Sequence, residues 1–139
     1  MAHDLYISND GKAAMFYVEV PPWHGLGTKL ANPPTSAEAI AAARLNWEVD
    51  KFPLFVRFGE GGRFFREVKR KALMPLDRIS GPECPVFGVV GDDYGIVQNV
   101  DAFKFFDPII GTGKASYETA GALGEGERIW ILAKIPGSI

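Results

Sequence analysis

Two glycine-rich tetrapeptides, Gly59-Glu60-Gly61-Gly62 and Gly124-Glu125-Gly126-Glu127, each sit between runs of strand-forming residues, and they limit the architecture of this chain more than any other feature. Glycine reaches the backbone angles that tight connections need, so such a turn between two β-prone runs folds them back as an antiparallel hairpin. The first turn joins "NWEVDKFPLFVRF" to "RFFREVKRKALMPL", and the second joins "KASYETAGAL" to "RIWILAKIP". Pro53 cannot donate to a strand ladder, which assigns the first arm to a sheet edge or a bulge. In the last arm Ile129, Ile131, Ala133 and Ile135 alternate with Trp130, Leu132 and Lys134. Both of its faces are largely apolar, so a central strand is expected there.

The rest of the chain supplies shorter elements. "AAMFYVEV" (13–20) reads as a short extended segment ended by Pro21 and Pro22. Thr35 and Glu38 have capping-box spacing and predict a helix over about Ser36 to Leu45. "CPVFGVVGDDYGIVQN" predicts two short strands joined by Gly91-Asp92-Asp93. Asn99 is placed to cap a helix over "VDAFKFFDPII", with Phe103 and Phe106 on one face and Pro108 shortening or kinking it. The order of elements predicts an α+β fold, a mainly antiparallel sheet of about five to seven short strands with two short helices. A chain stopping just after its most apolar strand is expected to be an incomplete domain. Residues 1–139 are read as one domain or the N-terminal part of a longer one, with 1–12 a flexible arm.

Composition narrows the chemistry. With 139 residues, 47% hydrophobic and 23% charged, the chain has the make-up of an ordinary folded protein. The single cysteine, Cys84, forbids an internal disulfide and leaves too few soft ligands for a zinc site, so no metal and no cofactor is expected. No segment is apolar enough to span a membrane, and a cytoplasmic location is the expectation. "GTGKA" (111–115) fails as a phosphate loop on spacing, and Asp92-Asp93 reads as a solvated turn. Glu118 and Glu127 would serve acid–base work only if they met across the last hairpin in a pocket.

Two stretches remain as candidates. "RFFREVKRK" places Arg63, Arg66, Lys69, Arg70 and Lys71 beside Phe64 and Phe65 with a single acid, Glu67. Cations for phosphate interleaved with rings for bases are the ingredients of a single-strand binding surface, and single-stranded nucleic acid is the expected partner. An edge strand guarded by lysines is the competing reading. "PPWHGLGTKL" (21–30) holds Trp23 and His24 between prolines and the glycines Gly25 and Gly27. It reads first as a structural clasp, and second as one wall of an enzyme pocket with Tyr94, Gln98 and Tyr117.

The segments "WHGLGTKL", "TSAEAIAAARLNWEV", "FGVVGDDYGIVQNVDAFKFFD" and "YETAGALGEGERIWILAKIPG" together resemble the phage/plasmid-related protein family, a domain of unknown function with family number 932. The resemblance implies carriage by phages, plasmids or prophages, no established activity, and a chain corresponding to the family's N-terminal part. It matches the family's recurring residues to Trp23, His24, Gly25, Gly27, Tyr94, Gln98, Asn99, Tyr117, Glu118 and Gly121. Besides a nucleic-acid module, it admits an enzyme completed by a missing C-terminal half and a host-protein interaction module. A homo-oligomer paired through the apolar strand at 128–135 is a further expectation.

Overall fold

In the computed structural model, which describes residues 4–18, 22, 25–113 and 115–135, the two glycine turns close two antiparallel hairpins as expected. The described strands are β1 (Met15–Tyr17), β2 (Thr28–Lys29), β3 (Val49–Phe58), β4 (Phe64–Pro75), β5 (Gly88–Gly91), β6 (Ser116–Leu123) and β7 (Arg128–Lys134). The helices are α1 (Ser36–Ala42) and α2 (Asn99–Gly111). The fold is α+β, and the chain divides into two compact units, one from 1–46 with 98–139 and the other from 47–97.

The first unit holds a four-stranded sheet in the order β2-β1-β6-β7, antiparallel except for the β1–β2 pair. Its core comprises Phe16 and Ala120 from the strands, Ala39 and Ile40 from α1, Leu45, and Phe103 from α2, whose ring packs tilted at 5.4 Å against Tyr117 of β6. Helix α1 starts as the capping box requires. Glu38 N–H donates to Thr35 Oγ1 at 3.2 Å, and Thr35 N–H donates to Glu38 Oε1 at 2.9 Å.

Helix α1 ends earlier than expected, at Ala42, because Arg44 takes a left-handed conformation (φ 55°) and Leu45 N–H turns back to Ile40 O at 2.9 Å. Glycine usually fills such a position. Here the Arg44 side chain is used, donating to Thr28 Oγ1 at 2.7 Å and to Asp10 Oδ2 at 3.2 Å. Asp10 also accepts from the Ser8 hydroxyl and from Lys12 N–H. These bonds, that from Ser8 foremost, hold the Asp10 carboxyl below its ordinary 3.8, at about 2. A carboxyl depressed in the folded state contributes stability that is present above its unfolded pKa and lost as pH falls through the folded one. The stability gap between the parent and Asp10→Asn should therefore be full above about pH 4 and close between pH 4 and 2 in urea titrations.

Several expectations are corrected. Residues 4–12 are tied to the sheet rather than forming a flexible arm: Leu5 bridges Leu123, Tyr6 N–H donates to Ala122 O at 3.0 Å, and both side chains are buried. Strand β7 is an edge of the described sheet, not its centre. Trp130, on one of its two apolar faces, packs against a small cluster of Leu5, Ala13 and Met15, so the N-terminal segment covers part of that face. Beneath Trp130 there is room only for glycine at 121, where a Cβ would lie 2.6 Å from Ala14 O and 2.3 Å from the indole. The cap of α2 is Gln98, one residue early, whose N–H donates to Asp101 Oδ2 at 3.3 Å. Asn99 is buried instead and donates from Nδ2 to Leu45 O at 3.0 Å. Helix α2 passes through Pro108 to Gly111; the proline leaves the Lys104 carbonyl without its helical donor, and Lys104 is an exposed position where water can serve.

The second unit is a three-stranded antiparallel sheet in the order β3-β4-β5. Strand β3 is an edge strand with an irregularity between Pro53 and Leu54, as its proline predicts. Of the two strands expected around Gly91-Asp92-Asp93 only β5 forms. Tyr94 N–H turns back to Gly91 O at 3.1 Å, and the next residues lead in sequence to α2. Buried Ala72 and Pro75 sit at the base of the sheet. Trp47 and Phe87 meet edge to face at 5.8 Å, and the Arg78 guanidinium lies over both rings, at 5.3 and 5.5 Å.

Candidate nucleic-acid interface

The β3–β4 hairpin is far longer than the third strand beside it. Strand β5 pairs only with Arg70–Leu73, so beyond Lys69 the hairpin continues as a two-stranded ribbon. A change of register separates this distal blade from the base: Leu54 faces Val68 while its neighbour Pro53 faces Lys71, leaving Lys69 and Arg70 as extra residues on β4. At the tip Gly59, Gly61 and Gly62 all take positive φ (86°, 65° and 67°), and Gly62 N–H closes the turn on Gly59 O at 2.9 Å.

Directly paired residues of an antiparallel ribbon share a face, and successive residues alternate. One face of the blade therefore carries Val56 opposite Arg66 and Phe58 opposite Phe64, the two rings 5.5 Å apart. The other carries Phe55 opposite Glu67 and Arg57 opposite Phe65, with the Arg57 guanidinium 5.4 Å from the ring centre. Arg63, at the end of the turn, lies 4.9 Å over the Phe64 ring. All four phenylalanines are between 47% and 65% exposed. Four exposed phenylalanines gathered on one hairpin, rather than scattered singly, make it a candidate contact surface.

Charge is concentrated on the same element. Residues 57–71 hold six basic side chains and two acidic ones in a chain whose net charge is -2, so the remainder is acidic. The cations differ in availability. Lys71 is bound within its own unit, 3.2 Å from Glu67 Oε2 and 3.7 Å from Asp92 Oδ1. Arg70 reaches Val89 O at 3.4 Å, and Arg57 donates to Gly62 O at 2.5 Å. Among the described residues Arg66 and Lys69 enter no ion pair, and both are exposed. Of the residues selected on sequence, Arg63, Phe65, Arg66 and Lys69 thus lie on the projecting blade or its junction, while Arg70 and Lys71 belong to its base. Sequence reasoning missed Phe55, Arg57 and Phe58 of β3. The signal was present, since pairing across the glycine turn necessarily lays "FVRF" alongside "RFFR".

The second candidate group is described only in part, and its described members divide between the two units. Trp23 and His24 lie outside the described residues. Gly25 and Gly27 take positive φ (72° and 106°), and a Cβ at Gly27 would strike Met15 Cγ at 2.6 Å, which is a packing reason for glycine. Tyr94 is exposed in the unit of residues 47–97, whereas Gln98 and Asn99 open α2 in the other. Tyr117 is buried. Its hydroxyl lies 2.9 Å from Phe103 O and 2.8 Å from Asp107 Oδ1, and Asp107 also accepts from Ser36 Oγ at 3.1 Å. Burial, followed by the adjacent Asp107 carboxylate, raises the Tyr117 pKa well above the ordinary tyrosine value, so its phenol stays protonated as a structural donor. Glu118 lies at the register shift of β6, and Glu127 folds back on Glu125 N–H at the opposite end of the hairpin, so the two do not meet.

Cys84 is half-buried, with Sγ 3.6 Å from Pro75 O, and lines an open hollow with Arg78, Gly81, Pro82 and Glu83. Among the described residues no group of three His, Cys, Asp or Glu is arranged to hold a metal ion, and no helix is long and apolar enough to cross a membrane.

Residues 86–139 match a protein family described as a domain of unknown function (DUF932). The match spans β5, α2, β6 and β7, which is less than half of the chain, and leaves the β3–β4 hairpin outside it. No curated protein and no solved structure matches the chain.

Proposed function

We propose that this protein is a non-catalytic nucleic-acid-binding module whose contact element is the distal β3–β4 hairpin, and that its ligand is single-stranded. The observation that carries this reading is the interleaving of four exposed phenylalanines with Arg57, Arg63, Arg66 and Lys69 on one projecting ribbon. Rings accept the faces of unpaired bases whatever their sequence, and the cations neutralise the phosphates between them. A ribbon guarded only against aggregation needs lysines at its edge but no exposed rings, and the rings would defeat that purpose. The phage or plasmid setting implied by the family resemblance suits such a module, because exposed single strands arise when mobile DNA is copied.

Fluorescence-anisotropy titration with a single-stranded oligonucleotide of about 12 nucleotides tests the reading. Arg66→Ala and Lys69→Ala should each weaken binding several-fold and flatten the plot of log affinity against log salt by about 0.7. Lys71→Ala, whose ammonium is already held by Glu67 and Asp92, should change it less. Absence of binding, indifference to Arg66 and Lys69, or binding to anionic phospholipid vesicles in place of the oligonucleotide would overturn it.

A further inference from the structure

The hairpin is equipped on both sides, and a single strand needs only one. We infer that the blade engages two single strands at once, one on each face, so that its preferred ligand is a forked junction where a duplex opens into two strands; this rests on the nucleic-acid reading above.

Three features of the blade support the assignment. First, each face carries two phenylalanines and an arginine over one of the rings. These are Phe58, Phe64 and Arg63 on one side, and Phe55, Phe65 and Arg57 on the other. The phenylalanines are directly paired on the first face and diagonal on the second, where Glu67 stands opposite Phe55. Second, among the described residues no third strand flanks β4 beyond Lys69 and none flanks the other edge of β3, and the rings on both faces are exposed at similar distances from the base. Third, the tip suits the point of divergence. Three of its four residues are glycines, which let the backbone approach a terminal base pair closely, and its one charged side chain, Glu60, repels phosphate. Phosphates are thereby directed away from the tip and towards the arginines along the two faces. Paired strands diverging around a ribbon of this kind place one strand's bases on each ring pair.

Anisotropy titrations with the whole chain at about 50 mM salt test this with four DNAs: a fork with two single-stranded arms, the same duplex with one arm, a linear single strand and a blunt duplex. The fork should bind about tenfold or more tightly than the one-armed duplex, as one additional stacked and neutralised strand implies. The double variants Phe58→Ala with Phe64→Ala, and Phe55→Ala with Phe65→Ala, should each reduce fork affinity to the one-armed level while weakening linear single-strand binding less than about threefold. Equal affinity for fork and one-armed duplex would overturn the inference and leave the single-strand reading standing. So would loss of all binding in one double variant with none in the other. A parent chain that binds no DNA removes both. All four rings are exposed, so circular dichroism should show the variants folded as the parent is.

Discussion

Replacing Tyr117 by alanine is expected to destabilise the unit of residues 1–46 and 98–139 by about 3–5 kcal/mol, the cost of deleting a large buried ring. Its ring is fully buried against Phe103, and its hydroxyl serves a backbone carbonyl of α2 and a carboxylate that in turn holds Ser36 of α1. One side chain thus ties β6 to both helices. Tyr117→Phe should keep the packing and lose only the hydroxyl, at about 1–3 kcal/mol, because Asp107 retains Ser36 as a donor. Urea unfolding measures both. A residue matched to a recurring family position invites a functional role, and a Tyr117→Phe protein as stable as the parent but unable to bind its ligand would establish one. The geometry predicts the reverse, lowered stability with ligand binding retained.

The largest effect on binding is expected from removing Arg63, Arg66 and Lys69 together. Each cation that neutralises a phosphate contributes about 0.7 to the salt exponent of single-strand binding, so three contribute about 2. At about 50 mM salt an exponent of that size corresponds to an affinity loss of two to three orders of magnitude, shrinking as salt rises towards 1 M. Fold stability should hardly change, because these side chains lie on the exposed blade away from the buried Ala72 and Pro75. An equal loss of affinity at every salt concentration would instead indicate that the substitutions had altered the blade's shape.

How far these features are legible in the sequence follows from how local their causes are. The two hairpins, the edge position of β3 and the start of α1 were readable because a glycine turn, a proline and a Thr-x-x-Glu pair act within a few residues. The edge position of β7 was not readable, since its second apolar face is covered in part by Leu5 and Ala13 from more than a hundred residues away in sequence. Asn99 was misplaced for a similar reason: its side chain serves Leu45 O, a partner that only the tertiary fold supplies. The candidate interface was half legible. Its β4 side was visible as a basic and aromatic run, whereas Phe55, Arg57 and Phe58 gained meaning once register laid them across from Glu67, Phe65 and Phe64. Availability was invisible in every case. Lys69 and Lys71 stand two residues apart, yet only Lys71 is held by Asp92, which lies on a turn beyond β5.

Ultraviolet crosslinking of the whole chain to a short single-stranded oligonucleotide, followed by mass spectrometric mapping of the attached peptides, tests the central claim most directly. Bases stacked on aromatic rings are within bonding distance of them, so the account predicts adducts on Phe55, Phe58, Phe64 or Phe65 that disappear at high salt. Adducts confined to residues outside 54–68, or none under conditions where binding is saturated, would contradict it.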